Sequence, residues 1–456
     1  MLKTPFLSCV LPALSRLLSA VCCVLITFAA VAQSGDPLFK DSSWSYHFQV
    51  TGILQAHPTF HSPYEGQNSL PSRHERAYSV TSTLYFGRHL WKGAALYFNP
   101  EMAGGKGVGS TLGIAGFPNG ETFRIGDPQP TVYVARFFLR QHIDLDKGHY
   151  EVLTEDANQV TERVSTTRLT LTAGKFSVGD LFDNSNVSHD PRSDFMNWAL
   201  MNNGAYDYAA NTRGYTYVVA AEYVRPGWTL RLGTALEPTF ANGPDLDWHY
   251  THTNSENLEW EKRYTYHGHK GALRLLAFYN VNKAPRYTDV VAAKVAGTDT
   301  SMDVIYGKNY GGKKYGFGIN AEQELSSAVS AFLRLGWNDG KTATWAFAEI
   351  DNTASGGIRL YGQSWKRSAD NMGIALLSNG LSQPHRDFLA AGGYGFMIGD
   401  GKLPHYSRED IAEFFYECRV FYNCWLTLDY QFVDHPAYNR DRGAVHLFSA
   451  RAHIEF

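Results

Sequence analysis

Charge is scarce in this sequence: Asp, Glu, Lys and Arg make up 19 % of its 456 residues, whereas aromatic residues reach 14 %. A soluble enzyme of this length carries more charge, more Leu and clear helical stripes. Cysteine is scarce too. Cys9, Cys22 and Cys23 fall in the first 32 residues, which leaves Cys418 and Cys424 for the rest of the chain. That count excludes a disulfide-rich scaffold and argues against a thiolate zinc site. Beyond Ala32 no apolar run is long enough to cross a bilayer as a helix. A basic block is also missing, and 44 acidic residues face 41 basic ones, so nothing supports nucleic-acid binding.

Catalytic and cofactor motifs are missing as well. There is no Gly-x-Ser-x-Gly nucleophile elbow, and the stretch Gly336 to Thr342 is one residue short of a phosphate-binding loop. His57 and His61 have the spacing of a helical zinc motif, but Pro58 lies between them and no Glu follows His57. His189 and Asp190 are adjacent, yet triad roles are a matter of geometry and not of adjacency. The residues call for no enzyme activity, no cofactor, no metal and no energy source.

What is present points to export and to strands. Lys3 and Arg16 flank the start of an apolar run from Leu17 to Ala32, and Ala30-Val31-Ala32 is a small-x-small cleavage site. A signal peptide over 1–32 and a mature domain over 33–456 are the expectation, with an uncleaved anchor as the alternative. From Trp44 onward, alternating runs of about ten residues are separated by tight turns on one side and long polar connections on the other. Ala77 to Gly87 and Gly93 to Met102 form one such pair, Gly214 to Val224 and Trp228 to Glu237 a second, and Tyr315 to Leu325 and Val329 to Asn338 a third. The pattern predicts an all-β, transmembrane antiparallel barrel with long extracellular loops. Direct counting gives eighteen strands. Two of the runs, around Phe388 to Ile398 and Arg359 to Trp365, are weak, so sixteen is equally defensible. In the last run Phe448, Ala450, Ala452, Ile454 and Phe456 share a face suited to lipid, and Ser449, Arg451, His453 and Glu455 share a face suited to a wet lumen.

Four stretches carry a family likeness. The first is Gly113 to Gly120 (Gly-Ile-Ala-Gly-Phe-Pro-Asn-Gly). The second and longest runs from Gly174 to Asp183, through His189 to Tyr208, to Asn211-Thr-Arg-Gly-Tyr215. The third is Gly392-Gly393 with Ile398 to Leu403, and the fourth is Trp425 to Phe432 with Asn439 to Gly443. Through them the chain resembles the carbohydrate-selective porins of the OprB type over nearly its whole mature length. The resemblance implies sixteen strands and passive diffusion of mono- or small oligosaccharides across an outer membrane. The implied partners are sugars and outer-membrane lipids. Whether the barrels form a homo-oligomer is left open, as is a general or ion-selective pore, with a barrel enzyme as the remote alternative.

The connection from Ser177 to Arg213 is the candidate constriction loop, because long barrel loops fold inward and narrow the lumen. It offers Asp183, Asp190, Arg192, Asp194, Asn197, Trp198, Asn202, Asn203 and Asp207. A Trp can stack on a sugar's apolar face while carboxylates and amides bond the hydroxyl rim. The competing reading is that the loop packs on itself and the wall. On the strands, Arg136, Arg140 and His142 share one face of the run from Val132, opposite Tyr133, Phe137 and Leu139, although Phe138 falls on the basic face; Arg168 shares a face with Thr170 and Thr172. Charges facing lipid cost about 2–4 kcal/mol each at the midplane, so these arginines should point inward. They form either a ladder setting a transverse field, or braces paired with Glu222, Glu237, Glu259 or Glu261. Cys418 and Cys424 flank a short hairpin segment, where a disulfide in an oxidising periplasm is the expectation and two free thiols the alternative.

Overall fold

The computed structural model describes residues 43–124 and 129–456, so the expected leader over 1–32 lies outside the described residues. Sixteen antiparallel strands close into one barrel. In chain order the wall begins with β1 (Trp44–His57), β2 (Glu75–Trp91), β3 (Ala94–Gly105) and β4 (Thr131–Asp144). A separate hairpin of β5 (Tyr150–Leu153) and β6 (Glu162–Ser165) interrupts it. The wall resumes with β7 (Arg168–Phe176), β8 (Thr216–Arg225), β9 (Trp228–Ala235), β10 (Asn254–Tyr266) and β11 (His269–Asn282). It continues with β12 (Gly312–Ser326), β13 (Val329–Asn338), β14 (Asn352–Tyr361) and β15 (Asn371–Gly380), and ends with β16 (Glu409–Phe421), β17 (Cys424–Asp434) and β18 (Val445–Glu455). β4 skips the hairpin to pair with β7, and β1 closes on β18 with Gln49 opposite Glu455 and Ala56 opposite Phe448. Phe48 and Phe456 exchange both backbone hydrogen bonds, at 3.0 and 2.8 Å.

The direct count of eighteen is therefore corrected to sixteen wall strands, and the two weak runs show why. The first begins in the last turn of the helix Gln383–Ala390, which Ser382 caps by accepting the His385 N–H and which carries a proline in its first turn. These start signals outweigh an incidental alternation. The second is the end of β14 followed by a 3-10 turn at Gly362–Trp365. The extra pair comes instead from the polar connection between Asp144 and Arg168.

Period-two patterning accounts for the wall. Along β12, Lys314, Asn320 and Glu322 are buried on the inner face while Tyr315, Phe317 and Ile319 are exposed on the outer one. A strand with one wet and one greasy face satisfies its backbone only in a closed sheet, which leaves no edge in the bilayer. The outward residues are graded along the strands. Leu232, Leu258, Leu275, Leu333 and Leu376 lie at mid-wall. Tyr217, Tyr279, Tyr315 and Trp337 lie at the end that carries the long loops, and Trp91, Tyr264, Tyr266 and Tyr422 at the end that carries short turns such as 226–227, 267–268 and 327–328. Two aromatic girdles around an apolar band are what the two bilayer interfaces favour. Among the described residues no helix is long and apolar enough to cross a membrane.

Candidate functional site

Residues 177–215 enter the barrel and are bolted to one half of its wall. The side chain of Arg334 is fully buried on β13; it donates to the Leu200 carbonyl at 2.5 Å and to the Ser188 carbonyl at 2.7 Å and pairs with Asp183 at 3.1 Å. Asp183 also accepts the Asn203 N–H and the Asn320 side-chain amide, at 2.7 and 3.0 Å. Glu413 on β16 accepts the Met196 and Asn197 N–H groups at 2.5 and 3.1 Å. Arg451 on β18 donates to the carbonyls of Pro191 and Asp194, at 2.7 and 2.8 Å, and Arg359 on β14 pairs with the Asp194 carboxylate. Contact is close enough that a Cβ at Gly336 would lie 1.9 Å from the Asn203 side-chain oxygen, so β13 needs glycine there.

Most of the loop's polar residues therefore act as clamps. Asn197 caps the short helix Trp198–Met201 through the Ala199 N–H and donates to the Gly116 carbonyl and Gln431. Asn203 donates to the Leu335 carbonyl at 2.9 Å. Asp207 gathers the N–H groups of Trp345, Ala346 and Phe347 and pairs with Lys314 at 3.1 Å. Asp190 turns the chain by accepting the Arg192 N–H at 2.9 Å. Burial would raise its carboxyl, but the Arg192 charge and this N–H outweigh burial and hold it below the usual range. Asn202 is buried against Gly179.

The opposite part of the wall, from β2 to β4 with the segment leading into β8, is where space remains. Arg192 reaches across from the loop and donates to Glu121 at 2.9 Å, Glu101 on β3 at 3.2 Å and the Tyr85 hydroxyl on β2 at 3.4 Å. Glu101 in turn accepts the hydroxyls of Tyr133 and Tyr215, at 2.5 and 3.1 Å. Arg213 stacks over the rings of Phe123 and Tyr133, 4.6 and 4.0 Å from their centroids, and among the described residues has no carboxylate partner. These groups other than Tyr85, with Trp198 and Phe347, line a cavity of about 110 Å³ toward the long loops. A second cavity of about 450 Å³, lined by Arg140, His189 and the hairpin, lies toward the short turns. Arg192 borders the first cavity and His189 the second.

The family model for carbohydrate-selective porins of the OprB family matches residues 69–456. The chain belongs to that family. Its fold is that of OprB from Pseudomonas putida: the high-pH structure superposes with a TM-score of 0.69 at 15 % identity, covering 91 % of this chain and 95 % of that one. The low-pH structure of the same protein gives 0.50 at 13 % identity, covering 91 % and 93 %. No curated protein sequence matches the chain. The chain is thus an outer-membrane porin for carbohydrate diffusion, with its long loops extracellular and its short turns periplasmic. The family and the structural neighbours are channels, which are not enzymes.

In this porin, three of the expected site residues border open space: Arg192 and Trp198 in the extracellular cavity and Arg140 in the periplasmic one. Trp198 also donates its indole N–H to the Asn119 carbonyl at 2.9 Å and stacks on Phe347. Arg136 does point inward, but makes a two-pronged pair with Asp180 at 2.7 and 2.6 Å. Arg168 pairs with Glu151 at the base of the hairpin, at 2.6 Å. The glutamates named as alternative partners mostly serve another residue: Arg231 holds Glu222, Glu259 and Glu261 at 2.8 to 2.9 Å. Cys418 and Cys424 carry free thiols; the register sets Cys418 opposite Leu426 and Cys424 opposite Phe421, so they are not direct cross-strand neighbours.

Sequence reasoning missed Tyr85, Glu101, Glu121, Arg213 and Tyr215, and it put Tyr133 on the lipid face. A β-bulge is responsible for the last error. Asn99 faces Arg136 and Pro100 faces Val134, which leaves Ala135 unpaired and flips the alternation. The readable signal was Pro100 itself, since proline inside a strand marks an edge or a bulge.

Proposed function

We propose that sugars cross this porin between the Arg192 side of the inward loop and the inner faces of β2, β3 and β4. The cargo is a neutral mono- or small oligosaccharide moving passively, without catalysis. One observation carries the reading: Arg192 is held between Glu101 and Glu121 beside Tyr133, Tyr215 and Trp198, which line the same cavity. A pyranose presents an apolar ring face and a rim of hydroxyls. The aromatic groups suit the face, and the alternating donors and acceptors suit the rim. Because the charges compensate one another, the narrow zone favours dipolar solutes over ions of either sign.

Liposome swelling with mono- and disaccharides alongside size-matched zwitterions and salts tests this reading. Faster swelling with sugars than with zwitterions of equal size is the expected result. Equal rates would remove the sugar preference and leave a general pore.

A further inference from the structure

At the periplasmic end the barrel departs from its own pattern. Turns there are mostly two residues long, yet residues 145–167 between β4 and β7 form the β5–β6 hairpin. The hairpin folds into the lumen and not away from it. Val160, near its tip, is fully buried against the inner wall, where a Cβ on Gly87 would stand 3.0 Å from its Cγ1 and 3.2 Å from the Tyr97 ring. Four hydrogen bonds hold it there. Val160 N–H donates to the Tyr97 hydroxyl at 3.3 Å, Arg140 to the Asn158 carbonyl at 3.2 Å, Ser45 to the Asp156 carbonyl at 3.4 Å, and Gly93 N–H to Glu162 at 2.7 Å.

So placed, the hairpin floors the cavity of about 450 Å³ on the periplasmic side of the Arg192 cluster. That volume lies within the roughly 300–1,000 Å³ of small-molecule sites. The wall contributes Arg140, Thr172 and the neighbouring rings of Phe138 and Phe176, whose centroids are 5.4 Å apart; the loop contributes His189 and the hairpin Asn158. Two polar atoms here are buried without a hydrogen-bond partner among the described residues: the hydroxyl of Thr172, itself 2 % exposed, and the side-chain oxygen of Asn158. Buried polar groups are nearly always bonded, so such a pair on two residues lining one chamber marks a place for a ligand that supplies hydroxyls.

We propose that this chamber is a second sugar subsite, in series with the constriction, and that the β5–β6 hairpin is its floor. It takes one sugar ring, which bonds Thr172, Asn158 and Arg140 through its hydroxyls and sets its apolar face toward Phe138 and Phe176. The proposal rests on the reading of the barrel as a sugar channel. Two weak sites in series let solute enter readily and leave readily, where a single tight site would retain it.

Sugar block of ion current through the full-length porin in planar bilayers tests the proposal, with the half-saturating glucose concentration as the readout. The variant carries T172V, which keeps the shape and removes the hydroxyl, and N158G, which removes the amide where φ is +60° and glycine is at ease. Neither residue touches the Arg192 cluster. With glucose on the periplasmic side, the half-saturating concentration should rise about three- to tenfold, with open-channel conductance unchanged. If the double variant does not assemble, T172V alone should raise it about two- to threefold. An unchanged value in a variant whose wild type is blocked by glucose overturns the subsite and leaves the sugar channel standing. A wild type that neither swells faster with sugars nor shows glucose block overturns both.

Discussion

Arg192 and Arg334 show how one residue type takes two roles in the same lumen. Arg334 has no exposed side-chain surface and bonds two loop carbonyls and Asp183, so its loss strands a buried carboxylate. Removing one member of such a pair costs about 3–5 kcal/mol, and R334A should lower the unfolding midpoint of the refolded barrel accordingly. Arg192 borders open space and sits between two carboxylates. In R192A the leftover Glu101 and Glu121 charges should turn the pore cation-selective, read as a shift of reversal potential in a salt gradient. An unshifted potential would place the ion path elsewhere. R136A should also change conductance, because it frees Asp180 at the root of the loop; unaltered conductance and selectivity would reduce Arg136 to a wall brace.

At the scale of elements, the extracellular loops are tied to one another as well as to the wall. In the β9–β10 loop, Asp247 accepts from the backbone N–H of His249 at 3.0 Å, from Tyr310 at 3.0 Å and from Lys283 at 3.0 Å. Burial raises its carboxyl, but these donors outweigh burial and bring it to about 2. Its folded value thus lies below the ordinary 3.8, so the tie is complete above that pH and is lost as pH falls through about 2. Hydrogen exchange in residues 236–253 should accelerate between pH 4 and pH 2 after correction for intrinsic rates, and D247N should abolish that step. The inward loop and the β5–β6 hairpin differ in how readable they are. The loop is conspicuous in the sequence through its length and its polar content. The hairpin reads in the sequence only as a polar connection, with no local sign that it pairs with itself inside the lumen.

For the whole molecule the balance is between a greasy outside and a bonded inside. Leu333 lies on the outer face at mid-wall and is nearly half exposed, whereas its neighbour Arg334 is entirely enclosed. An L333R substitution should cost about 2–4 kcal/mol in a lipid-based unfolding titration, although the same side chain one residue on is indispensable. A change near zero would mean that this face is not in contact with lipid.

The fold class was legible in the sequence because a strand's alternation is a local property, set by the opposite pointing of successive side chains and by lipid on one side of every wall strand. Where the turns fall, and which faces are wet along every strand without a bulge, follow from that. The identity of the solute-facing residues did not. Asp183, Asp194, Asn197, Asn203 and Asp207 looked like sugar ligands by chemistry but are consumed by the protein itself, each through at least one partner more than a hundred positions away. Glu101, Tyr215 and Arg213 became site residues only because the closed barrel brings β3 and the segment leading into β8 to face the same gap. Hydrogen-bonding capacity is written in the residue type, whereas whether a solute or the protein itself uses that capacity is decided by who else is within reach once the barrel closes.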